Sequence, residues 1–314
     1  MLPDISILGN TKSWPDFVEA VTPLQKDERG AAFEGLTELY LQIQPEYRTK
    51  LKTIWHHSEV PAKVRNKLNL PVQDFGIDLV AETYDGDYWA IQCKYHHDPH
   101  KNLTLNELRS FLHAAHQICH DKFSMLLAVS SANGYADTLR KHAPEVQYLL
   151  ADSFRTLDHE FFTAARAVLR KAIPKIRAYK PKPHQKRAIG NAVKHFKDDR
   201  EARGKLIHPC GTGKSLTGFW IADALDAKNI IVGVPSLQLV RQSLRVWARE
   251  AIAIGKTMEW LVVCSEAKIS KVDRDDPALR QQDLGVDVTT DVEKLTAFLR
   301  KRRSGVRVVF TTYQ

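Results

Sequence analysis

The segment Leu206–Ser215 constrains the fold of this chain more than any other, because a short apolar run enters a glycine-rich turn that leads into a helical pattern. Gly211 and Gly213 allow backbone N–H groups to approach an anion, and the N-terminus of the following helix adds positive potential. Lys214 is placed to reach the β- and γ-phosphates of a nucleotide, and Ser215 to ligate Mg²⁺. The segment therefore predicts a strand, a phosphate-binding loop and a helix. The Walker A pattern has Gly or Ala where this chain has a His-Pro pair, so the match is to the inner core of that pattern.

Length, charge and cysteine content limit the class of protein. With 314 residues, 43% of them hydrophobic, the chain has room for about two domains with their own cores. The formal net charge of +9 suits a polyanionic partner such as nucleic acid. The four cysteines include no Cys-x-x-Cys pair, so neither a disulfide framework nor a zinc ribbon is indicated, and a cytoplasmic location fits best. The sequence has no run of 18 apolar residues, so we expect no membrane partner.

Helix and strand patterns alternate through the first half of the chain. Residues 1–30 are polar, and Trp14 and Pro15 interrupt any long element there. Two stretches that alternate between apolar and polar residues flank a Tyr-Asp-Gly-Asp turn, which predicts a β-hairpin. The predicted helices cover 31–43, 105–120 and 134–142, and the predicted strands cover 76–83, 88–95, 123–130 and 146–150. The order α-β-β-α-β-α-β indicates a compact α/β unit.

A basic stretch interrupted by prolines, residues 161–183, separates this unit from a second α/β pattern and predicts a linker. We therefore assign residues 1–160 to a first domain and 184–314 to a second. In the second pattern, the predicted helices cover 185–196, 236–253 and 292–303, the predicted strands cover 230–234, 260–264 and 306–312, and 265–290 is a polar loop. Strands that alternate with helices predict a parallel sheet.

The hairpin carries residue types that suit phosphodiester cleavage. Gln92 and Lys94 point to the same face of the second strand because they lie two residues apart, and Asp78 lies on the first strand. Cleavage needs a divalent ion to activate water, hard oxygen ligands to hold that ion, and a cation to orient the nucleophile or stabilise the transition state. Asp78 offers a carboxylate, Gln92 an amide oxygen, Cys93 a backbone carbonyl and Lys94 the cation.

The sequence around these three residues, Gly-Ile-Asp-Leu-Val-Ala-Glu and Trp-Ala-Ile-Gln-Cys-Lys-Tyr, resembles the Mrr-like branch of the PD-(D/E)xK nucleases. The resemblance spans residues 30–150 and implies a restriction-endonuclease fold. It also implies Mg²⁺-dependent cleavage of double-stranded DNA, with Asp78 and Gln92 as metal ligands and Lys94 as the catalytic cation. That family often has an acidic residue in the preceding helix, which here corresponds to Glu34 as a fourth catalytic residue. Asp74 is a weaker candidate ligand.

Residues 180–314 resemble the superfamily 2 helicases and translocases, through a Pro-His-Gln segment before a helix, the phosphate-binding loop, a Val-Pro-Ser segment and a final Thr-Thr-Tyr strand. The resemblance implies that ATP binds with Mg²⁺, that Gln185 reads adenine, and that Ser236 and Thr312 lie near a DNA strand. The implied nucleotide-binding residues are Gln185, Gly211, Thr212, Gly213, Lys214 and Ser215, and Ser215 is also an implied Mg²⁺ ligand.

The resemblance to these motors is incomplete. Their ATPase needs an Asp-Glu pair on a later strand and an arginine from a second lobe. The sequence ends before either, so we expect an incomplete RecA-like domain, truncated before Walker B, that binds ATP but does not hydrolyse it alone.

A nuclease ahead of such a motor resembles the N-terminal part of the Type ISP restriction-modification enzymes, in which methyltransferase and target-recognition domains follow. The resemblance implies a DNA endonuclease coupled to a translocase, with the remaining parts on a longer chain. Three alternatives stay open at the level of sequence. They are a phage or defence helicase-nuclease without a methyltransferase, a DNA-binding module with two degenerate sites, and a small-molecule P-loop kinase.

Overall fold

The computed structural model describes residues 5–264, 280–301 and 305–313. The described residues form two compact units. The first unit comprises 5–174 and 280–287, and the second comprises 175–264, 288–301 and 305–313. Both units are α/β, as the sequence predicts. None of the described helices has the length and the apolar character needed to cross a membrane.

The first unit contains a five-stranded mixed sheet with helices packed around it. Its helices are α1 (Ile5–Asn10), α2 (Trp14–Val21), α3 (Lys26–Ile43), α4 (Pro45–Arg48), α5 (Ala62–Leu68), α6 (Leu105–His113), α7 (Asp137–His142), α8 (Ala151–Arg155) and α9 (His159–Leu169). Its strands are β1 (Leu51–His56), β2 (Leu79–Thr83), β3 (Tyr88–Lys94), β4 (Met125–Ser130) and β5 (Val146–Leu149). The strands lie in sequence order, with β1, β2 and β3 antiparallel and β3, β4 and β5 parallel.

The predicted hairpin is confirmed and occupies the middle of this sheet. Leu79 pairs with Ile91, and β3 is buried along almost all of its length because it has a neighbour on each side. The helix α3 packs against β3 through an apolar face that includes Phe33, Leu36 and Tyr40, none of which is exposed. This arrangement holds a helix across the strand that carries Gln92 and Lys94.

Several elements of the first unit differ from the sequence-based expectation. Pro15 lies in the first turn of α2 instead of breaking it, because that turn tolerates proline and the Ser13 hydroxyl caps it. Strand β1 is missing from the prediction, and β2 begins at Leu79, one residue after Asp78. The predicted linker 161–183 begins too early, because residues 161–169 belong to α9 and bury two phenylalanines and an alanine.

The second unit contains a parallel sheet whose strand order is β6-β9-β7-β8. Its strands are β6 (Asn229–Val234), β7 (Met258–Val263), β8 (Val288–Thr289) and β9 (Val306–Thr312). Its helices are α10 (Pro183–Val193), α11 (Lys214–Ala224), α12 (Leu237–Ala253) and α13 (Val292–Arg300). The parallel sheet is as predicted. Of the predicted polar loop, 265–279 lies outside the described residues, and so do 302 and 303 at the predicted end of α13.

The strand predicted before the phosphate-binding loop does not form. Residues 204–209 have no regular secondary structure, and Leu206 is 44% and Ile207 87% exposed. A strand exists only when a neighbouring strand takes up its backbone hydrogen bonds. None of the described strands pairs with this segment, and β6 pairs on one side only, with Ile231 74% exposed. The predicted strand is therefore wrong for the described structure, because a strand here depends on a neighbouring strand that the described residues do not supply.

Candidate nuclease centre and phosphate-binding loop

The start of β2 and the end of β3 bring the three hairpin residues together. The backbone N–H of Asp78 donates a hydrogen bond to Ile91 O, which positions Asp78 beside β3. Its Oδ2 atom accepts a hydrogen bond from Gln92 Nε2 at 2.5 Å and another from Cys93 N at 2.5 Å. Lys94 follows at the C-terminal end of the same strand and is partly exposed. The carboxylate and the amide therefore meet between the start of β2 and the end of β3, where the charge of Lys94 acts on the carboxylate.

One atom of the Gln92 side-chain amide, its oxygen, has no hydrogen-bond partner. Its nitrogen is used by Asp78, whereas its Oε1 atom is buried and has no hydrogen-bond partner. A buried carbonyl oxygen without a partner is costly unless a cation or water fills the site. Gly76 packs against this oxygen and has a φ of +99°. A Cβ atom at position 76 would lie 2.9 Å from Gln92 Oε1. Only glycine therefore leaves room beside the amide.

Glu34 of α3 joins the same cluster. Burial raises the pKa of Glu34 to about 7, and the nearby Asp78 carboxylate adds to this rise, whereas Lys94 opposes it. Burial also raises the pKa of Asp78 to about 6, against the opposing hydrogen bond from Cys93 N and the charge of Lys94. A carboxyl group whose ionisation is hindered by burial and by a neighbouring carboxylate, as that of Glu34 is, is expected to bind a cation readily.

His56, at the end of β1, was not identified from the sequence. Its Nε2 atom lies 3.0 Å from Glu38 Oε2, and its Nδ1 atom lies 4.0 Å from Glu34 Oε2. The hydrogen bond to Glu38 is the main reason that the pKa of His56 is raised. No sequence pattern indicates this group, because the contact joins α3 to a strand that the sequence does not predict.

The carboxylate of Asp74, the weaker candidate ligand, forms its hydrogen bonds within its own loop. Its Oδ1 atom accepts hydrogen bonds from Gly76 N at 2.6 Å and from Ile77 N at 3.2 Å. The buried imidazole of His57 lies on its other side, with Nδ1 3.6 Å from the same oxygen. This carboxylate shapes the turn that leads to Asp78.

The oxygen atoms of this cluster fit a hard divalent ion. Asp78 and Glu34 supply carboxylates and Gln92 supplies the unpartnered amide oxygen, which are the ligand types that Mg²⁺ prefers. Among the described residues, no three His, Cys, Asp or Glu side chains form a metal-binding group. The candidate set differs from such a group because its third ligand is an amide.

The phosphate-binding loop has the expected backbone shape at its end. Gly213 has φ of +79°, and a Cβ atom there would lie 2.9 Å from Gln185 Nε2, so this position requires glycine. Helix α11 starts at Lys214, whose side chain is exposed. The buried Ser215 Oγ has no hydrogen-bond partner, and Trp247 Nε1 holds the carbonyl of the same residue at 3.0 Å. The free hydroxyl suits a metal ligand.

The remaining predicted residues of the second unit lie near the loop or at the ends of strands. Gln185 is buried, and its amide bonds to protein, donating to Thr212 O at 3.1 Å and accepting from Lys182 N at 2.8 Å. Ser236 caps α12 through a hydrogen bond from Leu239 N. Thr312 lies at the end of β9, paired with the last residue of β6. Ser236 and Thr312 therefore both lie at the C-terminal edge of the parallel sheet.

Two protein families match the chain. The family described as restriction endonuclease (Mrr_cat_2) matches residues 42–164, and the Type III restriction enzyme res subunit (ResIII) matches residues 178–314. The first match includes Asp78, Gln92 and Lys94. No curated protein matches the chain.

Two solved structures extend this likeness. The ATP-dependent Type ISP restriction-modification enzyme LlaBIII bound to DNA has a TM-score of 0.75 at 25% identity, over 97% of this chain and 18% of that chain. A nuclease-deletion mutant of the Type ISP enzyme LlaGI, in complex with a DNA substrate mimic, is 32% identical over 43% of this chain and 13% of that chain. Its TM-score of 0.33 carries no structural argument. The chain thus spans less than a fifth of LlaBIII. Residues 42–164 thus match the restriction-endonuclease family and residues 178–314 the res-subunit family, and the chain has the fold of the matched part of LlaBIII.

Proposed function

We propose that the first unit is an Mg²⁺-dependent endonuclease that cuts double-stranded DNA, and that the second unit is the ATP-binding part of a DNA translocase, as in the restriction of foreign DNA. The observation that carries the nuclease proposal is the meeting of Asp78 and Gln92 beside Lys94 and Glu34. The buried, unpartnered Gln92 Oε1 supports a cation at this point. A cytoplasmic location stays a prediction.

Each residue of the candidate centre has a separate task. Asp78, Gln92 and Glu34 would hold Mg²⁺, which when bound activates water and offsets phosphate charge. Lys94, at the open end of β3, is placed to contact a phosphate oxygen and to stabilise the negative charge that develops there. The hydrogen bond from Cys93 N fixes the Asp78 carboxylate, so the site is organised before DNA arrives.

The proposed nucleotide site rests on the loop that precedes α11. Lys214 and the backbone N–H groups of the loop would bind phosphates, and Ser215 Oγ would ligate Mg²⁺. Gln185 would first have to exchange its bond to Thr212 O for one to adenine. Nucleotide binding and DNA cleavage should be separable, because each uses residues from a different unit.

Plasmid cleavage tests the nuclease proposal. We expect the chain to convert supercoiled plasmid to nicked or linear DNA with Mg²⁺ but not with EDTA, and Lys94→Ala to abolish conversion. Lys63→Ala removes an exposed lysine of the same unit and should cut like the wild type. Cleavage that persists in Lys94→Ala would refute the assignment.

A second candidate function is supported by two features of the second unit. The segment before the phosphate-binding loop is not part of the sheet, and Gln185 bonds to protein instead of offering a free amide. These features favour a DNA-binding module that does not bind ATP. Binding of a fluorescent ATP analogue by the wild type but not by Lys214→Ala would exclude this candidate.

A further inference from the structure

The excess of positive over negative charge in this chain lies in one stretch. Residues 161–197 contain eleven Lys and Arg and no Asp or Glu. The formal net charge of the whole chain is +9, so the rest of the chain is close to neutral. A positive field confined to one stretch points to a specific anionic partner, because a charge that serves only solubility has no reason to be segregated.

Within this stretch, residues 175–182 form a segment that we call the basic strap. It lies entirely in the second unit, has no regular secondary structure, and precedes α10. All four of its basic side chains are exposed, and none forms an ion pair with a carboxylate in the part of the chain that the structure describes. They are Lys175, Arg177, Lys180 and Lys182. These cations are therefore available to an external partner.

The strap is held in place by a buried network. Tyr179 donates its backbone N–H to Glu250 Oε2 at 3.3 Å, and the Arg249 guanidinium lies 3.8 Å from the centroid of the Tyr179 ring. Glu250 is fully buried and also accepts a hydrogen bond from Trp220 Nε1 at 3.1 Å. An ordered strap loses less conformational entropy on binding than a free tail would.

Prolines in and after the strap favour an extended chain. Pro181 and Pro183 favour extended conformations for the residues around them. An extended chain advances about 3.1–3.3 Å per residue. The stretch from Lys175 to Lys180 would therefore cover about 16 Å, which is the axial length of about five base pairs of B-DNA.

We propose that the basic strap binds the phosphate backbone of double-stranded DNA without regard to sequence and holds the duplex on the second unit. The inference rests on the proposed function for its choice of partner. Because the contacts are to phosphate, they fix the position of the DNA and carry no sequence information. The strap is thus a third DNA contact in addition to the nuclease centre and the predicted Ser236 and Thr312.

The test measures DNA affinity of the full chain against salt. The strap variant combines Lys175→Gln, Arg177→Gln and Lys180→Gln, and its matched control combines Lys63→Gln, Lys122→Gln and Lys141→Gln. All three control lysines are exposed residues of the first unit, and both variants remove three positive charges. Fluorescence anisotropy of a labelled duplex of about 30 base pairs, in EDTA to prevent cleavage, gives the dissociation constant over about 50 to 300 mM KCl.

We expect the slope of log affinity against log salt to fall by about 2.7 in the strap variant, because each lost phosphate contact removes about 0.9. Affinity at about 50 mM KCl should fall at least tenfold. The control should keep the slope of the wild type. A charge-preserving variant, Lys175→Arg with Arg177→Lys and Lys180→Arg, should also keep it.

Two results would overturn the proposal. One is a strap variant whose slope equals that of the wild type. The other is a larger loss of affinity for single-stranded DNA or RNA than for the duplex, which would assign the strap to a different nucleic acid. The plasmid assay separates this proposal from the nuclease: a chain that binds through the strap but never cuts refutes only the nuclease, and a chain that cuts with an inert strap refutes only the strap.

Discussion

The side-chain amide of Gln92 donates to the Asp78 carboxylate at 2.5 Å, which joins the residue before β2 to the end of β3. This bond uses the nitrogen of the amide and leaves its oxygen buried without a partner. Asp78 and Gln92 are therefore oriented together by this hydrogen bond.

Gly76 should be irreplaceable. A Cβ atom at this position would lie 2.7 Å from Ser110 Oγ and 2.9 Å from Gln92 Oε1, at a positive φ that side chains rarely adopt. We expect Gly76→Ala to destabilise the first unit by about 1–3 kcal/mol and to abolish cleavage. Gly30→Ala, in α3 with open space around the Cβ position, should be neutral or stabilising. Thermal unfolding and plasmid cleavage of the two variants check this; equal effects would show that the site tolerates a side chain.

The stability of the first unit should depend on pH through two carboxyl groups. The pKa of Glu34 is raised to about 7 and that of Asp78 to about 6, both mainly by burial. A carboxyl whose pKa is raised by folding stabilises the folded state while it is protonated. This stabilisation is complete below the unfolded pKa of about 4 and is lost as pH rises through about 6 and 7.

The variant Glu34→Gln with Asp78→Asn removes this dependence. Without metal, we expect the Tm of the variant to increase relative to the Tm of the wild type as pH rises from about 4 to 8. Mg²⁺ should raise the Tm of the wild type at about pH 8 and have little effect at about pH 5, because a protonated carboxyl is a poor ligand. A Tm difference that is constant with pH would contradict the proposed environment of these groups.

Nucleotide binding and DNA cleavage should be lost independently. Lys214→Ala should remove most affinity for ATP and leave Mg²⁺-dependent nicking intact, whereas Asp78→Ala should do the reverse. The reason is that the residues belong to separate units. Equilibrium binding of a fluorescent ATP analogue and plasmid nicking measure the two activities. Loss of both in either variant, with native circular dichroism, would show that the sites are linked.

Glu250 should be important for the stability of the second unit although its charge suggests a surface residue. It is fully buried and accepts hydrogen bonds from Trp220 and Tyr179. Glu250→Ala leaves both donors unpaired. We therefore expect the free energy of unfolding to fall by about 2–4 kcal/mol and the Tm to fall by several degrees. Glu201→Ala, at an exposed position, should change little. Tryptophan fluorescence during heating distinguishes them, and indistinguishable curves would argue against the network.

How far the sequence predicts this fold depends on how local each signal is. The hairpin could be predicted because alternation and a four-residue turn define it within one stretch. The start of α11 could be predicted because the glycine-rich loop and helix are adjacent in the chain. The strand before that loop could not, since the apolar run around Ile207 needs a neighbouring strand, and β6 does not provide one.

The residues of the candidate site also differ in whether a local sequence pattern predicts them. Asp78, Gln92 and Lys94 lie within one hairpin, so their spacing alone indicates a shared edge. Glu34 could be predicted only from the resemblance to a family, because its position beside these residues depends on the packing of α3 on β3. His56 was missed since its partner Glu38 is 18 residues away on another element.

The most direct measurement of the central claim is a crystal structure of the chain with Mn²⁺ and duplex DNA, with the metal located by its anomalous signal. We predict a metal bound by Asp78, Glu34 and Gln92 Oε1 at about 2.1 Å, with Lys94 near the phosphate. The Asp78→Ala variant should show no metal there. A metal bound elsewhere in the first unit, with the Gln92 oxygen still unliganded, would contradict the account.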